Sequence, residues 1–169
     1  MLDIILGLIN ARQEKPLQII PGYSNNPQPN KPFACAYVIN HKAPDEFSFT
    51  EEEKSDVNVL EKMRYWGEFL IQFDVLANSE QEAFTKANSL KNLITYVMRY
   101  QDWNQNGIGI VNEDYTLKAL HEKVDTGEYI YKYSFDVTFE SKMTMQRATF
   151  LAKTIELTAN NETTIIGGK

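Results

Sequence analysis

Residues 68–76, EFLIQFDVL, set Phe69, Ile71, Phe73 and Val75 on one side of the chain and Gln72 and Asp74 on the other. Residues 129–139, YIYKYSFDVTF, repeat the pattern over a longer run. There Tyr129, Tyr131, Tyr133, Phe135, Val137 and Phe139 alternate with Lys132, Ser134, Asp136 and Thr138. Successive strand side chains point to opposite faces, so this period of two predicts two strands buried on one face only. Between them the period changes. Ser79 with Glu82 three residues on makes a capping box, which satisfies backbone donors at the start of a helix. Ala83, Phe84, Ala87, Leu90, Leu93, Ile94, Val97 and Met98 then recur at helical spacing, and Arg99 suits the negative end of the helix dipole. This helix is expected to lie across the apolar face of the two strands.

The rest of the chain is less regular. Leu2, Ile5, Leu6 and Ile9 form one stripe of a short N-terminal helix. Pro16, Pro21, Pro27, Pro29 and Pro32 then break the chain, leaving extended pieces at about 17–20 and 33–39. A long acidic loop is predicted at about 40–64, where no period is visible. After the polar stretch DWNQNG, the run Ile108-Gly109-Ile110-Val111 predicts a turn followed by a short strand. The C-terminal extension, about 143–169, contains TFLAKTIEL, which alternates weakly enough to pair as a strand, and IIGGK, expected to be flexible and able to reach a neighbour. The fold class is therefore α+β. It comprises one domain, 1–169, with a mostly antiparallel, one-sided twisted sheet covered by a long helix and a short N-terminal helix.

A chain of 169 residues with 43% hydrophobic content has ample material for a core. Its formal charge of −6 disfavours binding nucleic acid by phosphate neutralisation. The N-terminus carries Asp3 early and lacks both a basic leader and a cleavage site, so it reads as neither a signal peptide nor a membrane span. Cys35 is the only cysteine, which rules out a disulfide within the chain. Its apolar setting, FACAYVI, predicts a buried thiol; a nucleophile would need His41 or His121 beside it.

Three constellations resemble chemical sites. Asp102, Asn104, Asn106, Gly107 and Glu113 fit the spacing of a calcium-binding loop. Only the two ends are charged, which favours weak binding, with Kd about 10⁻⁴ M or worse. The strand signal after Gly107 and the lack of a second such loop favour a helix-ending turn, with Gly107 at positive φ. Asp74 and Asp136 would make an acid/base pair if their strands were neighbours, but no other polar group converges on them and solvated strand-face aspartates are expected. Pro44-Asp45 with Glu52-Glu53-Lys54 has the letters of a Mg²⁺-dependent nuclease, without the strands that chemistry needs.

The order of parts resembles the neck and tail-terminator (tail-completion) proteins of tailed bacteriophages. The resemblance lies in Phe73 and Val75 leading into Ala83, Ala87, Leu90 and Leu93, and in the closing run Phe135-Asp136-Val137. It covers residues 30–142; Ser134 stands where a glycine is common, and the C-terminal extension lies beyond the match. The resemblance implies a structural virion protein, assembled in the host cytoplasm and forming a homo-oligomeric, commonly hexameric ring. Such a ring caps the tail tube protein and meets the head–tail connector, with DNA passing and not specifically bound. No catalysis, metal, cofactor or membrane is implied. Another head–tail joining or tail tube protein, and a calcium-binding or adaptor domain using Asp102–Glu113, stand as alternatives. In a ring, the acidic residues Asp45, Glu46, Glu51, Glu52, Glu53 and Asp56 would face a partner or the DNA channel, where like charge keeps a duplex from sticking; a plain solvated loop is the alternative.

Overall fold

The computed structural model describes residues 1–14, 17–25, 27–42, 48–54, 58–111, 115–123, 129–150, 154–159 and 162–167, by backbone alone at 48–54, 58–64, 100–101 and from 144 onward. In chain order the elements are α1 (Leu2–Arg12), β1 (Gln18–Pro21), β2 (Phe33–Lys42), β3 (Ser48–Lys54), β4 (Asn58–Ala77) and α2 (Glu80–Asn92). β5 (Ile108–Ile110), β6 (Lys118–Ala119), β7 (Glu122–Lys123), β8 (Tyr129–Phe150), β9 (Thr154–Ala159) and β10 (Glu162–Gly167) complete the chain. The fold is α+β, and its main sheet has the order β1-β2-β4-β8-β5. β1 runs parallel to β2, whereas β2 and β3 both pair antiparallel with β4.

Contacts group the chain into two compact units, Met1–Ala43 with Trp66–Lys142, and Pro44–Tyr65 with Met143–Lys169. In the first, the period of two is realised as burial. Phe69, Ile71, Phe73, Val75 and Ala77 of β4 and Phe135, Val137 and Phe139 of β8 are all buried. Phe73 stacks on Phe135 with ring centres 5.2 Å apart, so the two alternating runs share a core. α2 lies on this face: Phe84 meets Tyr133 edge to face, and Ala83, Ala87 and Leu90 are buried. α1 buries Ile5, Leu6 and Ile9 and packs by β1.

α2 begins as its sequence predicts. Ser79 Oγ accepts from Glu82 N (3.3 Å), while Glu82 Oε2 reaches back to Asn78 N (3.2 Å), one residue beyond the usual capping-box partner. Its end departs from the expected period. Two π-helical turns, Leu93–Val97 and Arg99–Trp103, come after it, closed by Met98 N to Leu93 O (3.0 Å) and Trp103 N to Met98 O (3.1 Å). Each wider turn admits an extra residue and rotates the next residues about the helix axis. Val97, placed in the core by helical spacing, is therefore 65% exposed, whereas Met98 is buried as expected; Phe84, upstream of these turns in α2, is exposed as well. Trp103 closes the segment in the core, its Nε1 donating to Ile94 O at 2.9 Å.

The second unit holds β3, the start of β4, the end of β8 and the hairpin β9–β10. Here the sequence reading needs correction. The segment read as a loop carries strand from Ser48 to Lys54, and Glu51, Glu52 and Glu53 lie in β3 opposite Lys62, Glu61 and Leu60 of β4. Ile165-Ile166-Gly167, read as flexible, belong to β10 and pair with Glu156, Ile155 and Thr154 of β9. Asp45, Glu46 and Asp56 lie outside the described residues.

Candidate functional site

At the calcium-like loop, Asp102 is not in a loop. It sits in the second π-helical turn, buried, with Oδ1 accepting from Arg12 Nε (2.8 Å) and Nη2 (2.6 Å). The same residue's carbonyl accepts from Asn106 Nδ2 (2.8 Å). Gly107 then turns the chain at φ 65°, and Ile108–Ile110 enter the sheet opposite Ser141, Glu140 and Phe139 of β8. The first ligand position is thus committed to a cation from α1, Asn104 continues the helical segment, and Asn106 and Gly107 form the turn that leads into β5. Glu113 lies outside the described residues. Nothing in the sequence marks Arg12 as the partner of a residue ninety positions away.

On the sheet face away from α2, Cys35 stands opposite Asp74 and Tyr37 opposite Gln72. Asp74 is only 6% exposed, so the solvated reading does not hold for it. Its Oδ1 accepts from Ser134 Oγ (2.6 Å) and Gln72 Nε2 (2.7 Å), and Lys132 Nζ lies 3.6 Å from Oδ2. Its strand lies between β2 and β8, and Ser134 and Lys132 of β8 together with Gln72 of its own strand converge on the carboxylate. Asp136 instead pairs with Lys118 Nζ at 3.0 Å, nearer the outer edge. Each aspartate thus has its own cation, an arrangement suited to holding strands together.

Burial raises the pKa of Cys35 above its ordinary value and pushes Tyr37 up to about 12. A buried thiol held protonated is a poor nucleophile. His41 belongs to the opposite face, stacked on Phe69 at 4.5 Å, and His121 lies against Tyr131 and Tyr133. Neither forms a Cys–His pair with Cys35. Among the described residues no group of His, Cys, Asp and Glu is arranged to hold a metal ion.

The remaining features are surfaces. A groove of about 690 Å³ between α1 and α2 is lined by Arg12, Leu17, Lys86, Leu90 and Leu93, among others. Along the outer side of β8 run β5, β6 and β7, and beside them Val111, Leu120 and Tyr129 are exposed. In β3 and β4, Glu52 and Glu61 are register partners. No helix among the described residues is long and apolar enough to cross a membrane.

Compared with known proteins, residues 2–168 match the family model described as phage neck terminator protein. No curated protein matches the chain.

Proposed function

The chain belongs to the phage neck terminator protein family, structural components of the virion where tail meets neck, and from that premise we propose that it forms a homo-oligomeric ring. The ring, hexameric by resemblance to the family, seats on the tail tube, ends its growth and offers its other side to the head–tail connector. The observation that carries this reading is the family match over residues 2–168, which includes the C-terminal extension and the acidic segment. Open sheet edges and a fold built on packing agree with an assembly role. Within the ring, Asp45, Glu46, Glu51, Glu52, Glu53 and Asp56 border the DNA passage. A chain of net charge −6 repels a duplex, as a conduit should.

The deciding experiment is infection with a null mutant, followed by electron microscopy of the lysate. Tails of excessive length, or complete tails and heads that remain separate, are the expected result. Tails of normal length joined normally to heads would end the terminator reading.

A further inference from the structure

Among the described residues, neither the outer edge of the main sheet nor the C-terminal hairpin is paired with a further strand. β5, β6 and β7 pair in succession with β8 from Ser141 down to Tyr129 and form one interrupted edge strand. Between β6 and β7 the ladder is broken: Lys132 N donates to the His121 side chain at Nδ1 (3.3 Å) and not to a carbonyl. No described pairing adds a strand outside this edge. An open edge of this kind is a template for another chain.

The hairpin has the complementary deficit. β9 and β10 form a two-stranded sheet of their own, joined to no other strand among the described residues. Two strands alone are marginal in water and gain stability from a third. Length and charge both fit the edge. β10 spans six residues, Glu162–Gly167, as does the stretch Lys118–Lys123. Residues 154–167 carry Glu156 and Glu162 and no Lys or Arg, whereas 118–123 carry Lys123 beside Glu122, and Lys118, which pairs with Asp136.

We propose that β10 of one copy adds as an outer strand to the 118–123 edge of a neighbouring copy. The contact is head-to-tail, so each subunit both gives a hairpin and receives one, and the series closes when the rotation completes a ring. The proposal rests on the ring reading above, and supplies the surface through which the ring closes.

The test uses full-length protein, a mixture of isotope-labelled and unlabelled copies assembled on tail tubes and treated with a carbodiimide that couples amines to carboxylates. Mass spectrometry is expected to find mixed-isotope peptides joining Lys118 or Lys123 to Glu156 or Glu162. Lys123→Glu is expected to weaken association about threefold to tenfold per contact, and Glu162→Lys in the same chain to restore it. Rings that form without these mixed cross-links, or with such links only inside single chains, overturn the contact and leave the ring standing. Failure of the full-length protein to form any ring on tubes overturns both.

Discussion

Asp74 and Asp136 lie on the same face of neighbouring strands, yet burial separates their energetics. Removing the Asp74 carboxylate leaves the buried Ser134 hydroxyl without its acceptor and the Lys132 ammonium with Glu122 alone. Asp74→Ala should therefore cost about 2–3 kcal/mol. Asp136→Ala breaks a more exposed pair and should cost less than about 1 kcal/mol. Phe135→Ala opens a cavity against Phe73 and should cost about 3–5 kcal/mol. Urea melts of the three variants test this ranking, and equal losses at the two aspartates would refute it. The neighbouring acids add a pH dependence. Burial holds the protons of Cys35 and Tyr37 more tightly in the folded chain than in the unfolded one, whose groups ionise near 9.0 and 10.0. Their contribution is thus complete below pH about 9 and is lost as pH rises toward about 12. Stability should fall over that window, with a shallower fall in Tyr37→Phe. The placing of Asp74 and Asp136 on the polar faces of their strands was visible as alternation; the burial of Asp74 was not, because it depends on which strands flank β4.

At the scale of elements, Ser79 and the alanine–leucine spacing were enough to locate the start and buried stripe of α2. The π-helical turns left no comparable trace, since a 3.6-residue period assumes the register that an inserted residue breaks. Val97 was misplaced for that reason. At the calcium-like spacing the preferred reading, a helix-ending turn with Gly107 at positive φ, is the one observed, and Asp102 is taken by Arg12. Millimolar calcium should accordingly leave the melting temperature unchanged, because a ligand stabilises only as RT ln(1 + [L]/Kd). An upward shift that Asp102→Asn abolishes would restore the calcium site. β4 and β8 were each read at about half their length. Asn58–Tyr65 and Met143–Phe150 mix charged, polar and apolar residues without a clean period, so the strand signal faded before the strands ended.

For the whole molecule, the sequence pattern captured the α+β class and the central core, because one-sided burial writes itself into periodicity. It did not reveal that the acidic segment pairs as β3 with the start of β4, or that this segment and the C-terminal extension gather into a second unit, since strand pairing depends on register and not on local composition. Truncation after residue 153 removes β9 and β10 while leaving the Phe73–Phe135 core intact. The shortened protein should retain most of its urea resistance yet fail to assemble on tubes, measurable by sedimentation. The two tryptophans offer a way to watch both events. Trp103 is sealed in the core with its indole N–H on Ile94, whereas Trp66 is 52% exposed. Native fluorescence is therefore the sum of a blue, quencher-resistant emitter and a redder one open to acrylamide. Unfolding moves the first, and any partner that covers Trp66 moves only the second, so one spectrum separates loss of the fold from occupation of that surface.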